Sequence, residues 1–386
     1  MTLLLTRYIR ECGRFLLPKF LLAILKKTRA AYYRKALYKC FHKQEIPEWM
    51  SAQIEKDLAP YKESGISLKS LNEVIQEYIN LVPHNAWELV RCRIQNGIIA
   101  LLKPLPTKET QGRWEVMHQT LMHLSYMTPL PDIDFVMCIG DCLGPAPASF
   151  FKKYNIPVLT FAKHEEDTVS ILIPDFEAFI EGFYENMLLD TSAGRIRFPW
   201  RVKKEKAFWR GATTGGTLEV HNYQEFPRIK IAHLSSKNPH LIDAKLTVLS
   251  QIKDPKVLKL LSPFVGNSAP ILDHLKYKYQ ILIDGNTCTY SRAYWQLFSD
   301  CLIFKQTSPN IQWYYSCLTP YVHYIPVAYD FSDLKEKIKW AQNHDLEAQQ
   351  MVAHANAFAQ KNLKKQNIYL YLLLLLQKYA ALQRSL

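Results

Sequence analysis

Glycine is scarce in this chain, 13 of 386 residues against 21 prolines, which excludes a collagen-like repeat and a glycine-rich flexible polymer. No stretch of about 18 residues is apolar and free of charge, so a membrane-spanning helix is not expected. There is no Gly-x-Ser-x-Gly elbow, no His-Glu-x-x-His pair and no Gly-Lys-Ser/Thr after a glycine-rich turn, which argues against motif-borne hydrolase, zinc-peptidase and Walker-type chemistry. Of the eight cysteines only Cys138 and Cys142 are close together, and no second pair stands at zinc spacing. They read as reduced thiols, and no structural metal is expected.

What is present is a globular composition, 48% hydrophobic, 22% charged and 12% aromatic, in a chain long enough for two domains. The net charge of +13 is unevenly placed, because residues 1–43 hold eleven Lys and Arg against Glu11 alone. The rest is a near-neutral globule. A surface built for nucleic acid spreads its charge over the fold, so no nucleic-acid partner is expected. The arm alternates cations with apolar clusters such as Leu3-Leu4-Leu5 and Phe20-Leu21-Leu22. That pattern suits an interfacial segment on an anionic membrane surface better than a cleaved secretory leader. The alternative is an amphipathic helix packed on its own domain. The expectation is a cytoplasmic protein, peripheral at the inner face of a membrane through residues 1–44.

Residues 46–125 read as helical and loop-rich: Leu71, Val74, Ile75, Tyr78 and Ile79 recur at helical spacing, and Trp87 to Leu102 reads as a second such stretch. From about 131 onward short β-rich runs take over, at Ile133–Ile139, Val158–Ala162, Ile171–Ile173, Ala207–Trp209, Tyr279–Ile283, Leu302–Phe304 and Tyr321–Val327. Helical patterns at Ala293–Phe298 and Asp333–Gln342 separate some of them, which predicts α/β units with a largely parallel sheet. A boundary is placed near Pro199-Trp200-Arg201. The organisation expected is an arm at 1–44, a domain at 45–199, a second at 200–364 and a C-terminal helix at 365–386 packing back across the domain interface.

Two loops are equipped to hold a phosphate. Phe208-Trp209-Arg210-Gly211-Ala212-Thr213-Thr214-Gly215-Gly216 runs from a strand into a turn with backbone donors, hydroxyls and a guanidinium. Tyr279 to Arg292 carries a buried strand into Asp284-Gly285-Asn286 and delivers Ser291 and Arg292 to a helix start, where free N–H groups favour an anion. Ser291 as a plain N-cap is the simpler alternative. Asp132-Ile133-Asp134 has the form of a metal-holding Asp-x-Asp but precedes a strand, whereas Asp141 follows one and could accept a proton from a hydroxyl, or merely cap a turn. Glu165, Glu166 and Asp167 are substitutes for that role. His323 reads as a satisfied core histidine.

Taken together, Trp209-Arg210-Gly211, the run Pro239 to Ala244, the block Tyr277 to Gln306 and Tyr321 to Val327 resemble glycosyltransferase family 90, over about residues 115–382. That family includes lipopolysaccharide-modifying, capsule-associated and protein O-glucosyltransferase enzymes. The resemblance implies an α/β GT-B-like fold of two Rossmann-like domains facing a cleft, and inverting transfer of a glucose-, xylose- or galactose-class sugar from a UDP-sugar without an essential metal or other cofactor. It implies Asp141 as general base, with Arg210, Gly211, Thr213, Ser291 and Arg292 lining the donor. The animal enzymes have Arg where Gly140 stands and Pro within Cys142-Leu143, which shifts the expected acceptor toward a glycan or lipid-linked glycan. A protein O-glycosyltransferase, or a non-catalytic membrane adaptor with a transferase-like fold, are the alternatives.

Overall fold

The computed structural model describes residues 46–81, 88–102 and 108–384, together with Lys35 and Tyr38, both helical. The arm at 1–44 otherwise lies outside the described residues. The chain forms two compact α/β units. The first takes residues up to Thr160, then Thr168–Leu189 and the stretch from Lys364; the second takes Phe161–Asp167 and Asp190–Leu363. The passage at 189–190 falls inside a helix, Phe183–Arg197, ahead of the expected Pro199–Arg201 boundary.

In the first unit, helices α1 (Glu48–Leu58), α2 (Leu68–Leu81) and α3 (Lys108–Ser125) surround strands β1 (Leu89–Gln95), β2 (Ile98–Leu101), β3 (Ile133–Cys138), β4 (Val158–Thr160) and β5 (Ser170–Leu172), in the order β2-β1-β3-β4-β5. The α2 stripe is the expected one: Leu71, Val74, Ile75 and Tyr78 are buried, against Leu89, Val136, Phe151 and Val158. Within the stretch expected to be helical from Trp87 to Leu102, Trp87 lies outside the described residues, and Leu89–Leu101 is not helical. It forms an antiparallel hairpin, β1 with β2, turned at Asn96 and Gly97, both with positive φ. Asn-Gly supplies the left-handed pair that a tight hairpin turn requires. The strand β1 then pairs antiparallel with β3, while β3, β4 and β5 run parallel.

A C-terminal helix, Lys365–Leu382, is buried around most of its circumference, from Ile368 through Leu376 to Tyr379. Each fully buried Leu there is worth about 1.5–3 kcal/mol. The helix is fastened within the first unit: Tyr371 donates to the Leu172 carbonyl at 3.3 Å and stacks on Trp49, and Lys365 pairs with buried Glu185 at 2.8 Å.

The second unit holds five strands, β6 (Lys204–Ala212), β7 (Ile242–Val248), β8 (Tyr277–Leu282), β9 (Leu302–Gln306) and β10 (Ile325–Val327). All pairings are parallel and the order is β10-β9-β8-β6-β7. The inner strands are buried on both faces, which is why they read as apolar runs rather than alternations. The strand expected from Tyr321 begins only at Ile325. Tyr321 has φ 59° and its N–H donates to the Tyr324 carbonyl, so the stretch before Ile325 is a turn. Among the described residues no helix is long and apolar enough to cross a membrane.

Candidate functional site

In the second unit's sheet, the order relative to the chain is second, first, third, fourth, fifth. The strand order therefore reverses between β6 and β8, and ligands of open parallel sheets sit at the carboxyl ends of the strands beside such a reversal. The loops leaving those two strands are the two that the sequence marks for phosphate.

The structure brings Arg210 and Arg292 together. Arg292, in the first turn of the helix Tyr290–Phe298, donates from Nη2 to the Arg210 carbonyl at 2.7 Å. Arg210 lies over the Phe208 ring at 4.2 Å and pairs with Asp243 on β7 at 2.8 Å, while its Nη1 donates to the Trp209 and Asp243 carbonyls. Much of its charge is thus already matched. Phe208 stacks in turn on Tyr277, whose hydroxyl donates to Asp243. Buried His274 sits edge-on to Phe208 and contacts Gln280 through Nδ1 at 3.0 Å. Burial, then the charge of Arg292 and that of Arg210, pull its pKa down to about 3, so the ring is neutral at ordinary pH.

Gly211 and Thr213 have reasons internal to the loop. A Cβ at Gly211 would strike the Trp209 indole. The Thr213 hydroxyl donates to the Ser250 carbonyl at 2.7 Å and accepts from the Ser250 N–H at 2.8 Å, and the residue is buried. Ser291 is the second residue of its helix, and the N-cap is Thr289, which makes no capping bond with its side chain. Beyond them, the N–H groups of Gly215 and Gly216 converge on the Gln251 side-chain oxygen.

Sequence reading missed Arg228, which lies on the helix Pro227–Lys237 and carries no motif. Its guanidinium ties the two loops together, donating to the carbonyls of Asp284 (2.8 Å), Ile283 (3.3 Å) and Ala212 (3.1 Å) and to the Thr214 hydroxyl (2.7 Å). A Cβ at Gly285 would meet both Arg228 Nη2 and Thr214 Oγ1 at 2.8 Å, so this close approach requires glycine. Burial, with some help from Arg292, lowers the Arg228 pKa to about 10. Asp284 accepts from Ser308 Oγ at 2.5 Å and Asn310 Nδ2 at 3.0 Å, and burial raises its pKa. The loop after β8 is thereby pinned on both sides.

In the first unit Asp141 follows β3 and pairs with Arg113 of α3 at 3.0 Å. Arg113 also donates to the Ile139 carbonyl at 3.1 Å and lies over the Phe176 ring. Asp141 is part-exposed, within electrostatic reach of Glu88, whose pKa is raised by burial and then by Asp141. The Asp-x-Asp residues hold the sheet instead: Asp134 is buried between Arg91 and Arg93, with ion pairs at 2.7 and 2.8 Å, and Asp132 accepts from the Asn96 N–H in the hairpin turn. No cluster of three or more metal-ligating side chains occurs among the described residues. Glu165, Glu166 and Asp167 belong to the second unit, where the Glu165 N–H donates to the Pro309 carbonyl. His323 is half-buried, accepts from the Thr319 N–H at 2.9 Å and packs on Phe358.

Comparison with known proteins agrees with the motifs. The model of glycosyl transferase family 90 matches residues 42–385. Protein O-glucosyltransferase 2 of Danio rerio is 33% identical over 86% of this chain and 62% of its own length. Protein O-glucosyltransferase 3 of Homo sapiens is 31% identical over 69% of this chain and 50% of its own. Protein O-glucosyltransferase 1 of Rattus norvegicus is 26% identical over 85% and 78%. The chain thus spans roughly half to two thirds of the length of the first two of these relatives. With the family model covering nearly the whole chain, the protein belongs to glycosyl transferase family 90.

Proposed function

We propose that this chain is a UDP-sugar-dependent glycosyltransferase that moves a glucosyl residue to an acceptor hydroxyl with inversion. Family membership supports the transferase class, and the relatives' names support glucose. The observation that carries the donor assignment is the meeting of Arg210 and Arg292 beside the reversal of strand order, at the carboxyl ends of β6 and β8. The family resemblance supplies the GT-B layout and the metal-independent mechanism of this reading.

In the proposed reaction Asp141 accepts the proton of the acceptor hydroxyl as its oxygen attacks the anomeric carbon. The bond to UDP breaks on the opposite side, and the electron pair leaves with the diphosphate. Arg292, Arg210 and the helix N-terminus at Tyr290 stabilise that growing charge, a task that needs only preorganised cations and dipoles. Asp141 is part-exposed and paired with Arg113, which supports its reading as the group that meets the hydroxyl.

The relatives' names support a protein hydroxyl as acceptor. Gly140 and Cys142-Leu143, where the animal enzymes carry Arg and Pro, favour a glycan or lipid-linked glycan as the second reading. Placement at the inner face of a membrane through residues 1–44 belongs to the same proposal and rests on the charge of the arm.

The test is calorimetric titration with UDP alongside transfer from UDP-glucose, assayed on a serine-bearing protein domain and on an oligosaccharide. Arg292→Ala should weaken UDP binding about tenfold or more, the worth of a charge-assisted hydrogen bond. Asp141→Asn should abolish transfer while leaving UDP affinity within about twofold. Unchanged UDP binding in Arg292→Ala removes the donor site from this loop; transfer surviving in Asp141→Asn removes the base.

A further inference from the structure

The carboxamide of Gln251 occupies a place that suits an anion better. Gln251 lies shortly after β7 ends at Val248, and its side-chain oxygen accepts from the N–H groups of Gly215, at 3.0 Å, and Gly216, at 3.3 Å, in the loop after β6. The loop after β8 joins them: Asn286 Oδ1 accepts from the Gly215 N–H at 3.1 Å and from Gln251 Nε2 at 2.9 Å. Loops from the carboxyl ends of three adjacent strands, ordered β8-β6-β7, thus meet at one pair of backbone donors. Arg210 stands near the end of β6 and Arg292 at the close of the stretch after β8, so these are the loops already marked for the diphosphate.

Only glycine takes this posture twice in succession. Gly215 and Gly216 have φ of +133° and +138°, and a Cβ at Gly216 would stand 2.8 Å from the Phe226 ring. Successive N–H groups turned to one point make an anion-binding concavity. A carboxamide oxygen carries a partial charge, whereas a phosphate oxygen makes charge-assisted hydrogen bonds about twice as strong with the same donors. Gln251 and Gly215 are both exposed, so the amide can exchange the glycines for water as it leaves. That exchange needs the side chain alone. The Gln251 backbone, at φ 58°, is pinned: its carbonyl accepts from the Leu218 N–H at 2.8 Å, and the Lys253 N–H donates to the Leu218 carbonyl at 3.0 Å. A left-handed residue other than glycine persists where its surroundings hold it, and the residue so held is the one that fills the concavity.

We propose that the N–H pair of Gly215 and Gly216 seats a phosphate oxygen of the donor, and that Gln251 is its placeholder, whose side chain swings out as the nucleotide diphosphate binds. The placeholder keeps the two donors satisfied and the three loops in register before the donor arrives. By competing for the same donors, it also sets how tightly the diphosphate is held. This inference rests on the reading of the loops after β6 and β8 as the donor site.

The experiment is NMR of the full chain joined to calorimetry. Thr-Gly and Gly-Gly each occur once in the sequence, at Thr214-Gly215 and Gly215-Gly216, so 15N-glycine combined with carbonyl-labelled threonine or glycine isolates the two amide signals. Both signals should move with UDP and with pyrophosphate, saturating at the calorimetric dissociation constant, and stay in place with uridine. Gln251→Ala, which opens the pair, should tighten UDP binding by about threefold to tenfold, the worth of one ordinary hydrogen bond. Gln251→Glu, which fills the pair with a carboxylate, should weaken it about tenfold or more. Amide signals that ignore UDP while calorimetry records its binding overturn the inference. So does UDP affinity that falls in Gln251→Ala or is equal in the wild type and both variants, since the amide is then a structural tie. Failure of the donor reading shows separately, as UDP affinity unchanged in Arg292→Ala.

Discussion

Arg228 offers the sharpest test of how the second unit holds its loops. Replacing it with Met keeps the aliphatic stem and removes every donor, which orphans the carbonyls of Ala212, Ile283 and Asp284 and the hydroxyl of Thr214. An acceptor left unsatisfied in a buried place costs about 1–3 kcal/mol, so four would cost roughly 8 kcal/mol if none were rescued. Two effects offset this. Thr214 is half-buried, so its hydroxyl can turn to solvent, and removing a cation whose pKa has fallen from 12.5 to about 10 returns roughly 3 kcal/mol at about 1.4 kcal/mol per unit. The expected net loss is about 3 kcal/mol, read as a lower urea midpoint at constant slope. Because the same guanidinium joins the loops after β6 and β8, UDP affinity measured by calorimetry should fall as well, by about tenfold for each 1.4 kcal/mol of loop order lost. Arg228→Lys keeps the charge but not the fork, and should recover little of either. A Met variant with wild-type urea midpoint and wild-type UDP affinity would refute the clasp.

Other consequences are equally direct. His274 has its pKa lowered to about 3 from 6.5, so the unfolded chain binds the proton more readily. The stability that this neutral ring contributes is fully present above pH 6.5 and is lost as pH falls toward 3, by roughly 3 kcal/mol at pH 4. His274→Asn should flatten that slope in urea unfolding curves, and an unaltered slope would place the acid sensitivity elsewhere. Gly97→Ala should destabilise the hairpin by about 1 kcal/mol through backbone strain alone, since φ is +75° and nothing lies within 4 Å of the added methyl. No loss on chemical unfolding would count against the left-handed turn. Deleting residues 1–43 should abolish sedimentation with phosphatidylserine vesicles, each cation near such a surface being worth about 1 kcal/mol, and leave UDP affinity intact. Persistent sedimentation would assign the arm a packing role.

The elements that sequence reading located well are those whose pattern admits one explanation. The strands at Ile133, Tyr279 and Leu302 are short, mainly apolar runs, broken only by buried Asp134 and Gln280 in the first two, and their burial on both sides is what such runs encode. The hairpin was misread because Val90, Ile94, Ile98 and Leu101 also fall at intervals of three and four, which a helix would satisfy. Asn96-Gly97 was the decisive signal, a turn dipeptide inside the supposed helix. Arg210 and Arg292 were legible because each adjoins a strand end rich in turn residues. Arg228 and Gln251 were not, since their importance arises from what the fold brings next to them: two loop carbonyl ends in one case, the paired N–H groups of Gly215 and Gly216 in the other. Gly211 and Thr213 stood out in sequence, but the Trp209 indole and the Ser250 backbone account for them.

The burial of Lys365–Leu382 within the first unit bears on how the protein is made. A ribosome releases the residues up to Thr160 well before Lys365–Leu382, and their sheet lacks the covering that Tyr371 and its neighbours provide until that later stretch has emerged. The second unit, nearly continuous from Asp190 to Leu363, has all its strands before that moment. Nascent chains should therefore mature from the middle outward, and a premature stop codon shortly before Lys365 would leave a folded centre attached to an N-terminal half that chaperones and proteases treat as unfinished.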